Sequence, residues 1–211
     1  MKRILFQGDS ITDAHRSRDN DEFPGSGYPN LLKAKIGLDY PNDYECLNRG
    51  VSGDRVVDIY ARIRRDIIML KPDILSILIG INDVWHELGS HNGVDAKKFE
   101  MVYDLILSEV EAALPEIKIL ILEPFVLCGS ATENTEQLPD RYDYFRSETL
   151  LRAKAAKRVS EKHGATFVPL QDAFDEAAKI APARHWLMDG VHPTSAGHEL
   201  IARAWLEHIQ L

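Results

Sequence analysis

Cysteine is almost missing from this chain: two residues, Cys46 and Cys128, among 211. They have neither metal-ligand spacing nor the density of a disulfide-stapled secreted domain, so both read as small buried side chains. Long apolar runs are missing as well. The first run follows Met1-Lys2-Arg3 and stops at Gly8, too short for a signal-peptide core or a membrane span. No amphipathic lid with a long exposed apolar face stands out, so an interfacial lipase and a membrane partner are disfavoured, and a cytoplasmic location is expected. Positive charge is in deficit. Lys+Arg 25 against Asp+Glu 33 gives a net charge of −8, which leaves no basic footprint for nucleic acid. Internal repeats, low-complexity tracts and linkers are absent too, and residues 1–211 read as one domain.

What is present is a strand-helix alternation. Short β-rich runs at Arg3–Gln7, Tyr44–Asn48, Ile74–Ile79, Ile117–Leu122 and Thr166–Pro169 are separated by helical periodicities over Asp54–Leu70, Phe99–Leu114 and Tyr142–His163, with another helix starting at Thr194. "DILSILIG" and "IKILILEP" are nearly continuous apolar runs, as strands buried on both faces require. The pattern predicts an α/β fold with a parallel sheet covered on both sides. Such sheets bind ligands at the carboxyl ends of their strands. The loops to inspect are therefore Gly8–Thr12, Arg49–Asp54, Gly80–Asp83 and Glu123–Phe125, with the irregular Leu127–Pro139 read as a polar surface loop near the same rim.

Those loops contain a set of residues suited to acyl transfer. Ser10 alone reads as a helix N-cap. Asp189 and His192, three positions apart and just before Pro193, change its meaning, because a serine hydroxyl needs a base and an imidazole needs a carboxylate to fix its tautomer. Donors for a developing oxyanion are at hand in the backbone N–H groups of Ser10 and Gly53 and the side-chain amide of Asn82. Each residue has a plain structural alternative: a turn glycine for Gly53, a helix cap for Asn82, a turn cap for Asp189, a solvated histidine for His192. Their conjunction on one rim favours chemistry. Asp9 is expected to hold the turn by local hydrogen bonds, leaving Asp189 as the catalytic carboxylate. Trp85 and Trp186 flank these motifs and are candidate substrate contacts, with packed core as the alternative for each. Phe125 reads as core, and Tyr142 and Tyr144 as possible rim residues.

Gly8-Asp9-Ser10-Ile11, Gly53 in "NRGVSGD", Asn82 in "GIND" and Asp189-Gly190-Val191-His192 resemble the four sequence blocks of the SGNH (GDSL-type) hydrolases, over nearly the whole chain. The resemblance implies a flavodoxin-like three-layer α/β/α sandwich with a five-stranded parallel sheet, no metal or organic cofactor, and ester hydrolysis through an acyl-enzyme. In that family pattern Ser10 is the nucleophile, His192 base and then acid, Asp189 the orienting carboxylate, and Ser10, Gly53 and Asn82 the oxyanion hole. "GDSITD", "GINDVW", "EPF" and "HPTSAGHELIARAWL" resemble, more narrowly, the intracellular bacterial acetylxylan-esterase branch, which implies a small ester substrate such as an acetylated xylo-oligosaccharide and a homo-oligomer. The chain departs from that branch at Asp54-Arg55, where the branch carries Asn-Thr, so the wall beside the oxyanion hole and the sugar preference stay open. Other readings are a lysophospholipase or thioesterase-type acyl hydrolase, a flavodoxin-like phosphate- or nucleotide-binding protein using "GDSIT", and a metal phosphoesterase built from Asp9, Asp13, Asp83, Asp189 and His192. The second leaves the Asp189/His192 pair unexplained, and the third lacks a recognisable ligand spacing.

Overall fold

In the computed structural model, which describes residues 1–211, the strands are β1 (Lys2–Gly8), β2 (Tyr44–Asn48), β3 (Ile74–Leu78), β4 (Lys118–Leu122) and β5 (Thr166–Val168). They form one sheet in the order β2-β1-β3-β4-β5, every neighbouring pair parallel. Period-two alternation divides the strand side chains between two cores. Ile4, Phe6, Leu78, Leu120 and Leu122 enter one cluster, and Leu5, Leu75, Ile77, Ile119 and Ile121 enter the other. The one polar residue inside the central strand, Ser76, accepts a hydrogen bond from the Trp205 indole at 3.0 Å, so it is tolerated at full burial.

Helices cover both faces: α1 (Ser10–Asp13), α2 (Tyr28–Asp39), α3 (Val56–Ala61), α4 (Ile63–Asp66), α5 (Ile81–Ser90), α6 (Ala96–Ala113), α7 (Arg141–His163), α8 (Gln171–Ile180), α9 (Ala183–Trp186) and α10 (Ser195–Glu207). This is the flavodoxin-like sandwich that the motifs imply. Two helical expectations change in detail. The single helix expected over Asp54–Leu70 is α3, α4 and a 3₁₀ turn at Ile68–Leu70. The break falls at Arg62, whose guanidinium reaches the Asp54 carboxylate, the Arg49 carbonyl and the Asp66 carboxylate instead of lying along a straight helix. The helix expected from Phe99 starts at Ala96, because Asp95 caps it by accepting the N–H groups of Lys97 and Lys98.

Cys46 is buried as expected, whereas Cys128 is exposed, since it lies in the loop that leaves β4 beyond the core residues Phe125–Leu127. That loop is more than surface decoration. Thr132 within it is fully buried, and the loop backbone pairs with Gly190 through Leu127 N–H and with Asp189 through Ala131 N–H. It therefore braces the Asp189–His192 segment.

The strand order fixes where function can lie. The chain runs outward from β1 to β2, then returns to place β3 on the other side of β1, so the crevice at the carboxyl ends of β1 and β3 is the topological switch point. Gly8 ends β1 there and only glycine fits, because a Cβ would lie 2.3 Å from both the Leu78 carbonyl oxygen and Thr12 Oγ1.

Candidate active site

The first residues past β1 settle the capping question. Asp9 is the N-cap of α1, its Oδ1 accepting the Ile11 N–H at 2.9 Å, so Ser10 is not needed as a cap and its hydroxyl is free. Burial pushes the Asp9 carboxyl up to about 7, against the opposing pull of the Ile11 N–H and the nearby His192. Ser10 Oγ lies 3.0 Å from His192 Nε2. On the other side of the ring, His192 Nδ1 lies 2.7 Å from Asp189 Oδ2. A carboxylate at Nδ1 fixes the proton there and leaves Nε2 as the acceptor of the Ser10 O–H.

Asp189 is itself tightly held. Its Oδ1 accepts the backbone N–H groups of Val191 at 2.9 Å and His192 at 2.8 Å, which fold the Asp189–His192 turn around the carboxylate. Burial alone would raise its pKa; the bonds from the His192 ring and the two N–H groups outweigh it and bring the carboxyl to about 2. The same ring bond from Asp189 raises the His192 pKa above its ordinary value, against a smaller desolvation cost.

Gly53 and Asn82 stand just after two other strands of the sheet, β2 and β3. Gly53 has φ +87°, a left-handed conformation that disfavours side-chain-bearing residues, in the loop between β2 and α3. Asn82 is buried in the first turn of α5, where Gly80 is the cap, and its Nδ2 donates to the Asp54 carbonyl at 3.1 Å. The amide is thus fixed against the very loop that presents Gly53. Next to it, buried Asp83 accepts the Val56 N–H at 3.1 and 3.2 Å, securing the far end of that loop. Arg55, at the position where the sequence departs from the acetylxylan-esterase branch, pairs with Asp58 and donates to the Asn92 carbonyl, so its side chain ties the loop that holds Gly53 to the turn after α5.

Other supporting residues carried no sequence signal. Asp13 accepts the Ser52 N–H at 3.0 Å and pairs with Arg18, linking α1 to the Gly53 loop across 39 positions of sequence. Asn48 Nδ2 reaches the Thr12 and Pro24 carbonyls while its Oδ1 accepts the Gly50 N–H. Partners that far apart leave no local pattern to read.

The two tryptophans separate. Trp85 is half-buried, its ring centroid 6.0 Å from the His192 ring and edge-on to Phe145 at 5.9 Å. Trp186 packs against the core and against His185, its carbonyl accepting from Thr194, and like Trp85 it is not among the residues lining the cleft beside Ser10. Phe125 is core, stacked on Phe174 at 4.2 Å, and Tyr144 packs against the same cluster. No three His, Cys, Asp or Glu side chains stand together in a geometry that would hold a metal ion: Asp9, Asp13 and Asp83 are each engaged separately by backbone N–H groups or arginine.

A hydroxyl, an imidazole and a carboxylate in line can take up a serine proton and stabilise the resulting imidazolium. The comparison with known proteins agrees: residues 6–200 match the model of the GDSL-like lipase/acylhydrolase family. The chain belongs to that family. It is 34% identical over 222 residues to an acetylxylan esterase of Geobacillus stearothermophilus, covering 99% of this chain and 94% of the relative. The crystal structure of that acetylxylan esterase superposes with a TM-score of 0.84 at 32% identity, over 98% of this chain and 93% of the other. A GDSL-like lipase from Parabacteroides merdae superposes with a TM-score of 0.89 at 38% identity, over 98% and 94% of the two chains. This family member is accordingly a serine carboxylic-ester hydrolase. No helix in it is long and apolar enough to cross a membrane.

Proposed function

We propose that this esterase removes acetyl groups from carbohydrates through an acyl-enzyme on Ser10. The observation that carries the reading is the continuous hydrogen-bond chain from Ser10 Oγ through the His192 ring to Asp189, at 3.0 and 2.7 Å. His192 Nε2 takes the Ser10 proton as Oγ attacks the acetyl carbonyl, and Asp189 stabilises the imidazolium that results. The Ser10 and Gly53 N–H groups and the Asn82 amide receive the oxyanion. Collapse of the tetrahedral intermediate expels the sugar alcohol, which collects the proton from His192. Water then attacks the acetyl-Ser10 ester by the same route in reverse, releasing acetate.

The space of about 640 Å³ beside Ser10 supports a polar alcohol part, since Asp13, Arg16, Arg18, Ser26, Ser52 and Thr194 line it. Likeness to the acetylxylan esterase of Geobacillus stearothermophilus supports a carbohydrate as the alcohol part. Trp85, against His192, is suited to cover the apolar face of a sugar or the acetyl methyl. The test is an acetate-release screen over acetylated xylo-oligosaccharides, other acetylated sugars and nitrophenyl esters of graded chain length. Preference for acetylated sugars and for acetyl over longer acyl groups is expected, and faster turnover with long chains would refute the carbohydrate reading.

Two further outcomes follow from the same geometry. Asn82→Ala should lower kcat by about 10²–10³ with little change in KM, because the amide contributes most when charge develops on the oxygen. An effect confined to KM would make Asn82 a substrate-binding residue. The pH profile should carry the mark of Asp189. His192 acts as base only when unprotonated, and Asp189 raises its pKa above the ordinary 6.5, so kcat/KM falls with decreasing pH along an acid limb whose midpoint lies above 6.5. A midpoint below that value would show that desolvation of the ring outweighs the stabilisation by Asp189.

A further inference from the structure

The cleft beside Ser10 has a charge imbalance opposite to that of the whole chain. Net charge is −8, yet the cleft is lined by Arg16 and Arg18 against one carboxylate, Asp13. That carboxylate is already occupied: both of its oxygens pair with Arg18, at 3.1 and 2.5 Å, and Oδ2 also accepts the Ser52 N–H. Arg16 is left without an acidic partner. Its Nε donates to the Gly50 carbonyl at 2.7 Å and its Nη1 to the Ser17 carbonyl at 3.3 Å, both neutral acceptors, while its Nη2 makes no hydrogen bond and no carboxylate lies within ion-pair distance. The two carbonyls fix the guanidinium in place with one face of its donor fork unused, a geometry that favours a bidentate or charge-assisted contact. Partial burial and the neighbouring Arg18 lower the Arg16 pKa to about 10 against the pull of the more distant Asp13 and Asp66 carboxylates, so the group stays charged at neutral pH.

Nothing in ester hydrolysis itself uses this charge, since the oxyanion is held elsewhere by Gly53 and Asn82. A carboxylate that uses this charge would be carried by the substrate. An acetyl group has none, which leaves the alcohol half, and that half leaves past His192, whose neighbours Pro193, Thr194 and Ser195 line the same cleft.

We propose that Arg16 is a specificity-determining residue that receives a carboxylate on the alcohol half of the ester, so that the preferred substrates are acetylated acidic carbohydrates of the uronic-acid class. This rests on the acetyl-carbohydrate reading above and narrows it. The test compares kcat/KM for acetylated glucuronic acid and acetylated glucose, with 4-nitrophenyl acetate as a reference for the chemistry. Wild-type enzyme is expected to prefer the uronate by about tenfold at low salt, the size of one partly exposed charge-assisted contact, and to lose part of that preference as ionic strength rises. Arg16→Gln should abolish the preference and Arg16→Lys should keep part of it. The ratio of the two substrates is internal to each preparation, so a variant that folds poorly still reports it. Free glucuronate inhibiting wild-type enzyme more strongly than glucose gives the same information without a variant. Equal kcat/KM for the two sugars in wild-type enzyme would overturn the role of Arg16 and leave the carbohydrate reading standing. A ratio that Arg16→Gln leaves unchanged while both rates fall would overturn it too, making Arg16 a strut for the Gly50 loop. Turnover of 4-nitrophenyl acetate with neither sugar ester cleaved would overturn both.

Discussion

Ser10→Ala should reduce ester hydrolysis by roughly 10⁵–10⁶ in kcat while the protein unfolds at nearly the same temperature as wild type. Kinetic loss and structural neutrality have one cause. Ser10 is the first residue of α1 without being its cap, because Asp9 supplies the side chain that accepts the Ile11 N–H. Removing the hydroxyl deletes one half-exposed hydrogen bond to His192 and leaves the turn, the cap and the β1–β3 crevice intact. The surviving amide donors of Gly53 and Asn82 retain the residual acceleration that a serine hydrolase keeps without its nucleophile. Steady-state hydrolysis of 4-nitrophenyl acetate and a thermal unfolding curve check the two halves together. Turnover within tenfold of wild type would remove Ser10 from the mechanism, and a collapse of stability would return it to the capping role that the isolated motif suggested.

That ambiguity marks how much of the fold and the site the sequence alone carries. All five strands were legible to within a residue or so, because buried parallel strands leave dense apolar runs such as "DILSILIG". The helices were legible only where an apolar stripe is long. α5 and α8 are amphipathic but only 10 residues each, and their buried faces include the polar Asn82, Asp83 and Gln171, so neither leaves a long apolar stripe. Three of the four motifs were legible because each follows a strand on the same rim, and the fourth, Asp189–His192, because it stands just before α10. What holds them together was not. The Asp13–Ser52, Asn48–Thr12, Asp83–Val56 and Ala131–Asp189 contacts join segments 27 or more residues apart, and long-range polar pairs obey no periodicity. The same reason explains Leu127–Pro139, polar in sequence yet packed against the Asp189–His192 turn.

The second large effect is expected at Asp189. Asp189→Asn should lower kcat by about 10⁴ while the turn keeps its shape, because an asparagine Oδ1 can still accept the Val191 and His192 N–H groups that the carboxylate now accepts at 2.9 and 2.8 Å. The loss arises at the other oxygen. Oδ2 now takes the Nδ1 proton of His192 at 2.7 Å, whereas an amide NH₂ in its place would donate to Nδ1 and put the ring proton on Nε2, facing Ser10. A protonated Nε2 cannot accept the serine proton. The pH dependence should change in a defined direction. Asp189 is the largest cause raising the His192 pKa, so without its charge the imidazolium is less favoured and the acid limb of kcat/KM moves to lower pH. Asp189→Ala should differ from the amide variant, since it also releases the two backbone N–H groups and so loosens the turn, adding a loss of stability that the asparagine avoids. A kcat lowered without any movement of the acid limb would mean that Asp189 orients the ring but does not stabilise its charge, and an unchanged kcat would require a different carboxylate. The only other buried carboxyl with an electrostatic effect on His192 is Asp9, and its oxygen is committed to the Ile11 N–H.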